Sequence, residues 1–435
     1  MHTNDKKQLA DNLGLPLSEF NRLLASANHA HKIISELGPF YGNGISKEPT
    51  FRIAAQPIPL PKNAKKILTQ LGEDLLSLGR SLPDLDDKYK NMLGENLDFR
   101  IPPCWRIDVI LDTEGNLRVN EIEGVDGASA LMIAEQLAYD LKDLKHSTAS
   151  TLVKTLGIMA SKQDTTLKIA YIWPNTHVDP YILNIKRFIK FLETISKGKI
   201  VGELFDQDEL KQGLIKIDWE TFGGVINESS LNQEELEFLG VTNSQIISSG
   251  FYNALVNKGL FGLVYEAELK KFWEEKLGEQ RFERLKKILI NTKFITTLKQ
   301  LEQAKKQKRV VKVSWAGSKI SVMDRSNGVA MPYSQTKHNT EERWVALKQL
   351  LKEGLKMISQ EYVEPAKIHS FLRKKATNLE AVDWYNRICV KYVCLGNPNS
   401  EKMPEVVLTA TEVTLGPNIV PAGRECAFTA GEFID

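Results

Sequence analysis

The sequence predicts an α/β protein with α+β elements: a helical N-terminal region, an early hairpin, a layer of alternating strands and helices, and a strand-rich C-terminal part. Three observations carry this. Residues 150–250 alternate short apolar strands with helical segments, as a parallel sheet with crossover helices does. Residues 104–123 hold two β-branched runs around a turn signal, and residues 357–415 hold a further cluster of strands. The 435 residues, 42% hydrophobic and 26% charged, supply material for about three packed units.

Residues 1–100 read as the helical region, because apolar residues recur at three-to-four spacing in LSEFNRLLASANHAHKIISEL and in AKKILTQLGEDLLSLGRSL. PIPLPK and IPPCW interrupt it as loops, since proline pushes its predecessor out of helical geometry. Residues 101–150 carry the hairpin WRIDVILDTEGNLRVNEIEG, turning at residues 112–116, and then the alanine-rich helix ASALMIAEQLAYDLKDL. Residues 151–250 form a Rossmann-like layer with strands at LKIAYIW, KIVGEL and FGGVINES; no G-x-G-x-x-G follows a strand, which argues against dinucleotide binding. Residues 251–435 open with the helices NALVNKGLFGLVY and ELKKFWEEKLGEQRFERLKKILI. They continue through the strand RVVKVSW, a Gly-Ser turn, ISVMD and the helix ERWVALKQLLKEGLK, and end on MISQEYVE, NRICVKYVCL and PEVVLTATEVTL.

The net charge of +2 leaves no bulk basic field for a nucleic-acid backbone. No apolar run approaches the roughly 20 residues of a membrane helix, MHTNDKKQLADNLGLPLSEF is too polar for a signal-peptide core, and GEFID holds no lipidation motif. Cys104, Cys389, Cys394 and Cys426 are too scattered for a disulfide framework and form no zinc-spaced pair. The expectation is a cytoplasmic protein with no membrane and no nucleic-acid partner. With no H-x-x-x-H pair and no G-x-S-x-G elbow, zinc and serine hydrolases are disfavoured, and Cys104 lacks an identifiable base.

Three constellations could carry chemistry. Arg106 and Asp108 share a strand face, as do Glu121 and Glu123 on the partner strand; facing each other, three carboxylates and an arginine form a hard oxygen site suited to magnesium bound through phosphates, or else a solvated ladder of surface ion pairs. Lys312 interrupts an apolar strand leading into Gly317 and Ser318. Such a lysine either meets an anion, with the glycine turn aiming N–H groups at phosphate, or faces water. Gln360, Glu361, Tyr362 and Val363 form a strand that can offer main-chain groups to a purine edge. Lys258, Arg387, Lys391, Glu412 and Asn418 are isolated polar candidates, each readable as structural.

The order of these motifs resembles the glutathionylspermidine synthase-like, circularly permuted ATP-grasp proteins. That family places an R-x-D strand, a turn and an E-x-N strand before a Rossmann-like region, then N-K-A-L-L, a V-x-K strand with a glycine loop, and a Q-x hinge strand. The counterparts here read RID, NEIEG, NKGLFGL, VVKVSWAGS and ISQEYVEP, over most of residues 100–435. The resemblance implies a circularly permuted ATP-grasp fold with a Rossmann-like pre-ATP-grasp layer, the hairpin segment 101–150 packing on the nucleotide-binding domain 251–435. It implies ATP and Mg2+ as cofactors. Arg106 would contact the reacting phosphoryl group, Asp108, Glu121 and Glu123 would hold Mg2+, and Lys258, Lys312, Gly317 and Ser318 would hold phosphates. Gln360, Glu361, Tyr362 and Val363 would line the adenine. Glu123 stands where the family has asparagine, and residues 124–127 depart from its Asp-Thr-Pro-Thr run, which puts the substrate in doubt. The length leaves no room for an additional amidase domain.

The chemistry so implied is an ATP-dependent carboxylate–amine ligase acting on a small carboxylate and an amine, a peptide or polyamine among them, through an acyl phosphate. The alternative is a non-catalytic nucleotide-binding or regulatory protein on the same fold. The hairpin also carries an electrostatic expectation: three crowded carboxylates without a cation push one towards its protonated form, so that metal alone stabilises the protein.

Overall fold

The computed structural model describes residues 3–37, 51–124, 128–159, 166–174, 176, 182–313, 329–330, 341–418 and 426–434. In chain order the strands are β1 (Arg52–Ile53), β2 (Ile58–Leu60), β3 (Cys104–Leu111), β4 (Leu117–Glu123), β5 (Leu167–Trp173), β6 (Ile200–Asp206), β7 (Gly224–Asn227) and β8 (Ile246–Ser248). They continue as β9 (Thr292–Ile295), β10 (Val310–Val313), β11 (Val329–Ala330), β12 (Met357–Gln360), β13 (Lys367–Lys375), β14 (Asn378–Leu395), β15 (Glu405–Gly416) and β16 (Ala427–Phe433). The expected strand at ISVMD lies outside the described residues.

Three sheets follow from these strands among the described residues. The largest runs β1-β16-β15-β14-β3-β4, with β13 also on β14 and β2 on β16. Its axis is β14, 18 residues long, which pairs β13 along its first half and β3 along its second while β15 covers its other edge. The early hairpin is thereby built into the late strands. A second sheet, β6-β5-β7-β8, is parallel throughout and matches the strands expected at LKIAYIW, KIVGEL and FGGVINES; β8 is an addition to them. The third, β11-β10-β12-β9, is antiparallel and carries Lys312.

Two local readings need correction. PIPLPK is not simply a loop: Ile58–Leu60 runs parallel to β16, with Ile58 and Leu60 buried and Pro59 exposed. A proline is compatible with such an edge strand because its missing N–H need not enter the ladder. NALVNKGLFGLVY is not one helix either; a short 3-10 turn, Ala254–Val256, precedes the helix Leu260–Tyr265. Asn257 separates them, its side chain donating to Leu93 O at 3.0 Å and accepting from Gly259 N–H at 2.8 Å. Lys258 sits in that break.

Smaller clusters take Cys104, Val393 and Cys389 on one face of the large sheet, and the largest core cluster lies on the other. Trp105, Ile107, Val109, Ile388, Val390 and Tyr392 pack there against Leu68, Leu71, Leu75 and Leu78 of the helix Ala64–Ser81. Gly72 of that helix permits the approach, since a Cβ at this position would lie 2.7 Å from the Tyr392 ring. No described helix is long and apolar enough to cross a membrane.

Candidate functional site

Strand alternation decides which side chains meet. On β3 and β14 the core takes Trp105, Ile107, Val109, Ile388, Val390 and Tyr392, so Arg106, Asp108, Arg387, Cys389 and Lys391 share the other face. β4 joins that face through a bulge. Leu117 and Val119 stand opposite Leu111 and Val109; the register then shifts at Asn120, and Glu121 and Glu123 stand opposite Asp108 and Arg106. Without the extra residue Glu121, two positions beyond core Val119, would point into the core. The facing of RID and NEIEG anticipated from sequence is present, and the bulge is what brings it about. Its sequence signal is the broken apolar spacing of Leu117, Val119 and Ile122.

This is not a solvated ladder. Arg106 and Asp108 are 8% and 1% exposed. Arg106 Nε donates to Asp108 Oδ1 at 3.0 Å, and its Nη2 pairs with the half-exposed Glu123 carboxylate. Arg387 Nη1 lies 3.5 Å from Asp108 Oδ2. Lys258 and Lys312 both reach Glu121 Oε2, at 3.2 and 3.5 Å. Lys312 does not face water: it is 5% exposed and its Nζ donates to Asn120 Oδ1 at 2.9 Å, so the bulged residue, which sequence reasoning missed, becomes part of the site.

Glu121 is not a carboxylate that crowding pushes towards its protonated form. Burial raises its carboxyl, but Lys258 and Lys312, with Arg387 beyond them, outweigh burial and hold it well below the usual carboxylate range. Lys312 is displaced downward by burial, which its attraction to Glu121 only partly offsets. Crowding of like charge is relieved by cations of the chain itself.

Of the strand anticipated over residues 360–363 only Gln360 belongs to a strand, the end of β12; residues 361–363 run on beyond it outside the ladder. Gln360 is buried and its Nε2 donates to Asn120 O at 3.2 Å and Thr292 Oγ1 at 3.3 Å, tying the third sheet to the bulge. The Glu361 N–H donates to Asn291 O at 2.8 Å. Tyr362 and Val363 follow β12 at intermediate exposure. Gly317 and Ser318 lie outside the described residues. Of the isolated polar candidates, Lys258 and Arg387 enter the site directly. Lys391 stands opposite Arg106 and Glu412 opposite Cys389 on the same sheet face, while Asn418 is exposed beyond β15. Cys104 is buried like the other cysteines.

Asp108, Glu121 and Glu123 each offer a carboxylate oxygen, all within 4.8 Å of one another. Asp108 Oδ2 is buried and accepts no hydrogen bond among the described residues. This donor set fits Mg2+, a hard cation that takes one or two carboxylates together with phosphate oxygens and water.

No family model matches the chain, and no curated protein matches it. Among solved structures, a glutathione synthetase-like effector from Globodera pallida in its apo form is similar with a TM-score of 0.61 at 13% identity, over 95% of this chain and 97% of that one. A putative gamma-glutamylcysteine synthetase from Methylobacillus flagellatus KT aligns with a TM-score of 0.41 at 10% identity, over 83% of this chain and 87% of that one. N5-Carboxyaminoimidazole synthetase from Staphylococcus aureus, complexed with ADP, aligns with a TM-score of 0.27 at 9% identity, over 58% and 82%. The likeness in fold rests on the first of these: the mixed α/β chain shares, almost from end to end, the fold of a glutathione synthetase-like protein.

Proposed function

We propose that the protein is an ATP- and Mg2+-dependent carboxylate–amine ligase of the ATP-grasp kind, acting on small molecules through an acyl phosphate. The observation that carries this reading is the meeting of Lys258 and Lys312 on Glu121, within a carboxylate group that also includes Asp108 and Glu123. Phosphate-binding cations and metal-binding carboxylates are the parts that phosphoryl transfer needs, and they stand side by side. The circularly permuted, glutathionylspermidine synthase-like assignment rests on the motif order. The name of the glutathione synthetase-like structure is consistent with ligation.

In this reading Lys258 and Lys312 turn from Glu121 to the triphosphate, with Gly317 and Ser318 adding contacts to phosphate. Asp108, Glu121 and Glu123 would hold Mg2+, which would supply charge neutralisation on the transferring phosphoryl group. Arg106 fixes Asp108 and Glu123 and sets its charge beside that group; Gln360, Glu361, Tyr362 and Val363 flank the adenine. An oxygen of the acid bonds to the γ-phosphorus as the bond to the bridging oxygen breaks and ADP leaves. The amine nitrogen then bonds to the acyl carbon, the C–O bond breaks, phosphate departs, and the nitrogen gives up a proton. Position and positive charge suffice, and the chemistry calls for no nucleophile from the protein.

Phosphate release from Mg2+-ATP is the test, measured across a panel of acids and amines singly and in pairs. Release that requires one of each is expected. ATP binding without release under any pair would favour the non-catalytic alternative, and absence of ATP binding would sink both readings.

A further inference from the structure

Arg118 is a cation of the same sheet face that the reading above leaves unused. It stands on β4 opposite Ile110 of β3, on the other side of the bulge from Glu121. Ile110 follows Arg106 and Asp108 at period two, so Arg118 and Ile110 extend the face that carries the carboxylates. Ile110 is half-buried there, whereas Leu111 beside it packs against the core. Arg118 is at intermediate exposure, but its Nε is buried without an acceptor among the described residues, none of which forms an ion pair with it. A guanidinium has five N–H donors, and leaving a buried one unsatisfied is costly unless a ligand meets it.

The neighbours of Arg118 narrow what that ligand is. Two residues along β4, Asn120 accepts from Lys312 Nζ at 2.9 Å and from Gln360 Nε2 at 3.2 Å. On the opposite side, Pro365 bridges to Asp112 and the Ala366 N–H donates to Leu111 O at 2.8 Å. Residues 361–364 are thus anchored on both sides of the row formed by Arg118 and Ile110, and they cross it. In the ligase reading the transferring phosphoryl group lies by Asp108 and Glu121 and the adenine by residues 360–363, so the ribose and the first phosphate fall between them, at Arg118. The acid substrate must approach the γ-phosphorus, beyond Glu121. We propose that Arg118 binds the α-phosphate of the nucleotide, with Ile110 as the apolar floor under the ribose; this rests on the ligase reading. The guanidinium fork meets phosphate oxygens in parallel charge-assisted hydrogen bonds, the orphaned Nε among the donors, which a lysine cannot reproduce.

The test compares adenosine, AMP, ADP and ATP by calorimetry with Mg2+, in the wild type, Arg118→Gln and Arg118→Lys. In the wild type AMP is expected to bind more tightly than adenosine. Arg118→Gln should weaken AMP, ADP and ATP by a common factor of about tenfold or more and leave adenosine unchanged, and Arg118→Lys should weaken them less. AMP no tighter than adenosine in the wild type overturns the inference. So does an Arg118→Gln protein that binds AMP as well as the wild type does, or one that loses adenosine and AMP equally, which would put the guanidinium on the nucleoside. Should Arg118→Gln not fold, Arg118→Lys decides, and an unchanged ratio of AMP to adenosine affinity there overturns it. A wild type that takes up no ATP sinks the ligase reading and this inference together; ATP uptake with any of the contrary results above sinks this inference alone.

Discussion

Lys258 and Lys312 converge on a single oxygen, Oε2 of Glu121, at 3.2 and 3.5 Å. The carboxylate best placed for a metal is therefore already neutralised, and a divalent cation arriving alone must displace two ammonium groups. A triphosphate removes that obstacle by drawing the lysines to itself. Metal and nucleotide should bind as a coupled pair. Mg2+ alone is expected to shift the thermal midpoint by less than about 1 °C, ATP alone modestly, and the two together by more than their sum. An additive pair of shifts in a thermal-denaturation matrix would count against the exchange of partners.

Lys312→Met isolates the phosphate role. The variant loses a charge-assisted contact of about 1.5–3 kcal/mol, a fall in ATP affinity of roughly tenfold to a hundredfold. It should fold, because it removes a cation whose burial is unfavourable and leaves Lys258 on Glu121. Calorimetry with Mg2+-ATP checks this, and an unchanged affinity in a folded variant refutes the role.

Much of this site was legible in the chain. Period-two alternation put Arg106 with Asp108 and Glu121 with Glu123, and a lysine among valines flagged Lys312 as needing a partner. Two physical facts were hidden. The bulge at Asn120 reverses the parity of β4, and its only trace is the uneven spacing of Leu117, Val119 and Ile122. The partner of Lys312 is Glu121 itself, a tertiary contact between two sheets that no local pattern encodes. Counting carboxylates predicts that one of the three is pushed towards its protonated form; Glu121 is not that one, because the distant lysines hold it low. β2 was hidden for a different reason: its pairing comes from β16, at the far end of the chain, and its proline masked the strand.

Glu121→Gln tests the same exchange from the other side. The two lysines lose their shared counter-ion and stay largely buried, so the ligand-free protein should lose about 3 kcal/mol of stability. Because Glu121 is held below the usual carboxylate range, its contribution is present above that range and is lost as pH falls from there through its lowered folded-state value. Wild type and variant should therefore converge in acid. Without Mg2+, ATP should bind the variant more tightly than the wild type, since the phosphates no longer compete with a carboxylate. With Mg2+ the advantage should vanish and phosphate release collapse. Tighter metal-free ATP binding by calorimetry is the discriminating measurement; weaker binding would mean that Glu121 positions the lysines for phosphate instead of competing for them.

Glu135 offers a stability prediction outside the site. On the helix Ser129–Ala138 it is 0% exposed, and neither carboxylate oxygen has a hydrogen-bond partner among the described residues. Burial first, then the charge of Glu412, push its carboxyl well above the usual range. The sign follows from linkage. Once pH passes the ordinary glutamate value near 4.3, the unfolded chain gives up a proton that the native state retains, so Glu135 makes stability fall as pH rises. Glu135→Gln keeps the shape and cannot ionise. It should match the wild type near pH 4 and exceed it by on the order of 1 kcal/mol at about pH 8, in urea denaturation at both pH values. A difference that does not grow with pH would mean that Glu135 is ionised in the fold, stabilised by a cation close enough to outweigh both burial and Glu412.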